Sequence, residues 1–201
     1  MSSGRAPRRR STLLAATVVA GALTLSACGG EGSRAGGGGN TNFVTGSGGI
    51  STVAKGERTD APKLAGPALD GTTLDISDYK GKVVVLNFWG SWCGPCRAEA
   101  KHFVKVSEEM KDQGVQFVGV NTRDPQKSLA VSFEEDFGVT YPSLYDPTGK
   151  QLLRFPKGTL NPKAIPSTVV VDREGKLAAR SLAALDATKL HEMIDPLVAE
   201  K

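Results

Sequence analysis

Two hundred and one residues give room for one domain of ordinary size plus extensions. A composition of 39% hydrophobic and 23% charged residues is that of a chain able to build a core. The net charge of +4 resides in Arg5, Arg8, Arg9 and Arg10, within a first stretch of 27 residues that has no acid; the rest balances at 21 basic against 21 acidic side chains. A neutral domain has no electrostatic hold on a phosphate backbone, so no nucleic-acid partner is expected.

The chain opens as an export signal over residues 1–27: a basic run ending at Arg10, then an alanine-rich apolar stretch too short for a comfortable membrane span. It ends in Leu25-Ser26-Ala27-Cys28, which resembles the lipobox of bacterial lipoproteins at all four positions. That resemblance implies that Cys28 becomes the mature N-terminus and carries acyl chains, placing the protein on the outer face of the cytoplasmic membrane by a lipid anchor. A plain signal peptide cut near an alanine is the alternative. Residues 28–57 are dominated by Gly, Ser, Thr and Asn and read as a flexible tether, roughly 30 residues spanning about 30 Å.

A globular domain is expected over residues 58–201. Asp70-Gly71 between short apolar segments signals a hairpin within Ala68 to Ile76. Lys82 to Trp89 is a nearly continuous β-branched and aromatic run, a strand buried on both faces. A helix follows from about Pro95 to Gln113, with Phe103, Val106 and Met110 on one face and Gly114 stopping it. Val115 to Asn121 is a second buried strand. Asp124-Pro125 reads as the cap and first turn of a helix bearing Ala130, Phe133 and Phe137. Short strands are expected near Ser143 to Tyr145, Ser167 to Val171 and Lys176 to Arg180. Asp186 then caps a last helix with Leu190, Ile194 and Leu197 inward and a kink or fraying at Pro196. The alternation argues an α/β sheet covered on both faces.

With Cys28 assigned to lipid, Cys93 and Cys96 remain as one pair outside the cytosol, which favours a redox couple over a disulfide scaffold. The first thiol of such a pair lies at a helix N-terminus, where unpaired backbone N–H groups and the macrodipole stabilise a thiolate. Cys93 is therefore the expected nucleophile, and Cys96, one turn in, the thiol that resolves the mixed disulfide. Pro95 suits the first turn, and Gly94 lets another chain approach. A zinc site lacks further ligands, since only His102 and His191 remain; a purely structural Cys93–Cys96 bridge would close a loop too small to constrain much. No metal and no cofactor are expected.

The run Val83 to Glu99 (VVVLNFWGSWCGPCRAE) resembles the active-site segment of the ResA/TlpA-like thiol-disulfide oxidoreductases of the thioredoxin superfamily. The similarity extends through Tyr79-Lys80-Gly81-Lys82, Phe137 to Pro142, and Ile165-Pro166-Ser167-Thr168 to Gly175. It implies a thioredoxin-like α/β fold, a central mixed sheet flanked by helices with an N-terminal hairpin extension. It further implies that Pro166 is a cis-proline beside the sulfurs and that the backbone of Ile165 pairs with substrate. Glu99 would tune thiol ionisation, a role Asn87 cannot take because an amide accepts no proton from Cys96. Trp92 would face substrate. Lys101 and Ala183 depart from the family pattern, leaving the partner open. The resemblance implies reduction of disulfides in exported proteins, apocytochrome c being the usual client, with electrons from a membrane thiol carrier. A disulfide oxidase or isomerase is the alternative, as is a Sco-type copper chaperone, which needs a Cys-x-x-x-Cys pair and a distal histidine.

Overall fold

The computed structural model describes residues 41–200. The export segment, Cys28 and the first part of the Gly-rich stretch lie outside the described residues. In chain order the strands are Val44–Thr45 (β1), Ile50–Thr52 (β2), Ala65–Pro67 (β3), Thr73–Asp75 (β4), Val83–Trp89 (β5), Val115–Thr122 (β6), Ser143–Asp146 (β7), Ser167–Val171 (β8) and Leu177–Ser181 (β9). The helices are Gly94–Met110 (α1), Lys127–Phe137 (α2) and Ala187–Ala199 (α3).

Seven strands form one sheet in the order β1-β2-β9-β8-β5-β6-β7, and β3 and β4 pair separately. β5, β6 and β7 run parallel, while β5 meets β8 antiparallel, so the sheet is mixed. All seven residues of β5 are buried, because both sheet faces are covered. On one face Val83 and Val85 pack with Phe103 and Val106 of α1 and with Leu190 and Ile194 of α3. On the other, Val84, Leu86 and Phe88 pack with Leu64 and Leu74 of the hairpin and with Leu152 and Phe155. Alternation along one strand thus feeds two cores.

The expected helix α1 is present and passes through a short 3-10 turn at Lys111–Gln113 to Gly114, whose left-handed φ of 76° ends it. Asp186 caps α3, accepting from the Lys189 N–H. The fraying expected at Pro196 does not occur, and α3 continues to Ala199. The Arg173 guanidinium donates to the carbonyls of Leu197, Val198 and Glu200, satisfying acceptors that a helix end leaves open.

Two expectations are corrected. The tether does not reach residue 57: β2 pairs antiparallel with β9, and Ile50, Ser51 and Val53 are buried. Arg58, the expected first domain residue, donates from Nε to the Val53 carbonyl. Backbone groups make this pairing, and a three-residue strand with one large apolar anchor leaves no alternation in the composition. Nor does Asp124 cap α2, which starts at Lys127 behind Gln126 without a side-chain cap; the Asp124 carboxylate is engaged elsewhere.

Candidate active site

β5 delivers the chain at Trp89 to a turn, Gly90-Ser91-Trp92, from which α1 begins. Cys93 is the N-cap of α1 in an extended conformation, and its sulfur accepts the backbone N–H of Cys96 at 3.2 Å. A helix start leaves its first N–H groups without intrahelical partners, so a sulfur placed there meets a donor and the positive end of the macrodipole. Pro95 fits this first turn, where its missing N–H costs nothing. Cys93 and Cys96 are joined by a disulfide. Both residues are buried, Cys93 slightly less than Cys96. Trp92, Gly94 and Pro95 around them are exposed. A Cβ added at Gly94 would meet nothing in this domain, which leaves open space before the disulfide.

The chain entering β8 brings the second half of the site. The Ile165–Pro166 peptide is cis, and the Ile165 carbonyl oxygen lies 3.7 Å from Cys93 Sγ. Cys93 and Ile165, 72 positions apart, meet because β5 and β8 are neighbours, Phe88 opposite Ser167.

Glu99 lies beneath the disulfide, one turn after Cys96 and 2% exposed. Its Oε1 accepts from Asn87 Nδ2 at 2.9 Å and its Oε2 from the Leu185 N–H at 3.0 Å. Burial disfavours the charge more than these bonds restore it, and the carboxyl is pushed up to about 7. A solvated surface carboxylate is ruled out. Tyr141, raised mainly by burial, feels the charges of both Glu99 and Glu134. Glu134, on α2, is another carboxyl that burial pushes up to about 7.

Sequence reasoning missed Asp124. Fully buried at the end of β6, it accepts from the Ser91 N–H at 2.9 Å, the Ser91 hydroxyl at 2.5 Å and Asn121 Nδ2 at 2.6 Å. It ties the turn before Cys93 to the neighbouring strand. An Asp-Pro pair reads locally as a helix cap, and nothing in the sequence points to Ser91, 33 positions away. Trp89 is packing, as its stack on Phe133 at 4.3 Å between centroids shows. His191 bonds Asp195 and Glu109, and Glu109 stands thirteen positions past Cys96 on α1, about 20 Å along the axis. The distal histidine of a copper-chaperone site is therefore not beside these sulfurs.

A disulfide held at a helix tip can pass its S–S bond to the thiols of another molecule, and as the dithiol can take one up, and the class this defines is the thioredoxin-like thiol-disulfide oxidoreductases. The chain belongs to the AhpC/TSA family, whose model matches residues 58–180. Among curated relatives it is 31% identical over 139 residues to the thiol-disulfide oxidoreductase ResA of Bacillus subtilis (strain 168), covering 69% of this chain and 74% of that protein. It is 36% identical over 137 residues to ResA of Geobacillus kaustophilus, covering 68% and 72%. Solved structures include a DsbF homologue from Corynebacterium diphtheriae, at 37% identity and TM-score 0.69, covering 76% of this chain and 95% of that one. A secreted thiol-disulfide isomerase from Corynebacterium glutamicum shares 32% identity at TM-score 0.72, covering 81% and 100%.

Proposed function

We propose that this oxidoreductase works outside the cytoplasm, held to the membrane through Cys28, and reduces disulfides in exported proteins. The Cys93 thiolate attacks one sulfur of the partner's disulfide; a Cys93–partner S–S bond forms and the partner's own S–S bond breaks, releasing a thiolate. Cys96 passes its proton to Glu99 and attacks Cys93 Sγ, closing the internal disulfide and releasing the partner's second thiol. Two electrons move to the partner, and a membrane thiol carrier restores the dithiol. Pro166 and the Ile165 backbone hold the partner's extended segment against the sulfurs. Trp92, Gly94 and Pro95 form the surface around it. Apocytochrome c, the client that the resemblance implies, is the first partner to test.

The observation that carries this reading is the acceptance by Cys93 Sγ of the Cys96 N–H at the start of α1. It favours the ionised form of one sulfur over the other. The Gly94-Pro95 pair is also that of strongly reducing thioredoxins. About 30 mV corresponds to about 1.4 kcal/mol, so modest local changes reverse the direction. The isomerase relative from Corynebacterium glutamicum supports isomerisation as a second reading of the same chemistry. A Cys96→Ser variant expressed in cells tests the Cys93 attack on partners. Mixed disulfides through Cys93 with exported proteins are expected, and recovery of none contradicts a partner-reducing role.

A further inference from the structure

The residues on either side of the Arg123–Asp124 peptide act on two consecutive residues of the redox turn. Asp124 holds Ser91 through two hydrogen bonds, from the Ser91 N–H and from its hydroxyl, and the Asn121 amide donates to the same carboxylate. Arg123 lays its guanidinium 5.2 Å from the centroid of the Trp92 ring. Neighbouring side chains on extended backbone point to opposite sides. These two act on the same turn because Arg123 takes a left-handed φ of 61°, a conformation that L-residues with a long side chain rarely adopt. Arg123 is held there by its own N–H, which donates to the Asp146 carbonyl at 3.1 Å, and by Gly149 at its back, where a Cβ would sit 3.4 Å from Arg123 Cγ.

The Gly90 backbone meets the indole as well. A Cβ at Gly90 would lie 2.8 Å from Trp92 Nε1 and 3.2 Å from the Thr122 carbonyl oxygen, so the indole rests on bare backbone. Nε and Nη2 of this guanidinium are shielded and have no hydrogen-bond partner among the described residues, and the Trp92 ring is a group it does address. Trp92 nevertheless stays 53% exposed. A large aromatic in contact with both bare backbone and a cation, yet half open to solvent and adjacent to Cys93, is built to be touched from outside.

We propose that Arg123 and Asp124 are positioning residues that fix Trp92 and the Gly90–Trp92 turn as a rigid platform for the polypeptide flanking a substrate disulfide. This rests on the reading that Cys93 attacks protein disulfides, and it deepens that reading by naming what selects a protein over a small molecule. A small disulfide needs only the sulfurs. A polypeptide also lies across the indole, and a loose indole costs it contact area and ordering entropy.

The test uses reduced protein carrying Arg123→Gly, which suits the left-handed backbone and so keeps the fold, and Arg123→Lys, which keeps charge but not the planar group. Rates are measured with insulin and with bis(2-hydroxyethyl) disulfide, and the ratio of the two kcat/KM values is read for each variant. In Arg123→Gly the ratio falls by about threefold to tenfold, through KM for insulin, and Arg123→Lys recovers part of it. Of the two tryptophans Trp89 is buried, so acrylamide quenching reports Trp92 and steepens in Arg123→Gly. An unaltered ratio, or equal losses on both substrates with unaltered quenching, overturns the proposal. Failure of the unsubstituted protein on insulin, with turnover of the small disulfide intact, instead removes the protein-reducing reading beneath it.

Discussion

At the scale of single residues, Glu99 and Asn87 form a unit whose chemistry follows from burial. A carboxyl raised to about 7 is ready to hold or release a proton near neutral pH. When it is charged, the Asn87 amide donates to it; when it is protonated, the same amide turned over presents an acceptor. Stability records this. The folded state binds a proton on Glu99 more tightly than the unfolded chain does. The favourable contribution is therefore complete below about pH 4.5 and is lost as pH rises through about 7. In the disulfide form, where no thiol titrates, Glu99→Gln should gain on the unsubstituted protein by about 2 kcal/mol between pH 5 and pH 8 in urea unfolding. Parallel profiles would show that the carboxyl is not buried in its charged form. Glu99 was legible in the sequence through the family resemblance; the structure adds that it falls on the buried stripe of positions 96, 99, 103, 106 and 110. Asp124 was not, because its partner is distant in sequence and its local context has a sufficient explanation as a cap.

Among elements, the strands and helices that carry the site were legible because burial on both faces forces continuous apolar runs, as in β5 and β6, and because α1 has a clean apolar stripe. What escaped were β1 and β2, short edge elements whose place is set by backbone pairing and by Arg58. That side chain, 5% exposed, donates to Asp172 at 3.0 Å and to both Glu200 oxygens at 2.7 and 2.6 Å. It locks the segment after β2 to the β8–β9 turn and to the end of α3. Removing it strands two acids: Arg58→Ala should cost about 3 kcal/mol in urea unfolding at neutral pH. Glu200 is held below its ordinary range chiefly by its hydrogen bond from Arg58. Its contribution is present above about pH 4.5 and disappears as pH falls, so the gap between Arg58→Ala and the parent should narrow in acid. A gap below about 0.5 kcal/mol, typical of exposed pairs, would mean that the cluster is solvated.

For the whole molecule, the ordered start at β1 and β2 shortens the proposed tether. The chain enters at the β1 edge of the sheet, whereas the disulfide lies beyond the end of β5, four places away in the strand order. No helix among the described residues is long and apolar enough to cross a membrane, and the proposal places attachment at Cys28. Cys28→Ser should move the protein from the membrane pellet to the soluble extracytoplasmic fraction; a variant still sedimenting with membranes removes the lipid anchor from the account.

The most direct test of the central claim is alkylation of the reduced protein by iodoacetamide across pH, with each modified cysteine assigned by mass. One sulfur held at the start of α1 by the Cys96 N–H should react fast, with an apparent pKa clearly below the value of about 8.5 for free cysteine, while Cys96 stays slow. Two thiols reacting at similar rates, both with a midpoint near 8.5, would contradict it.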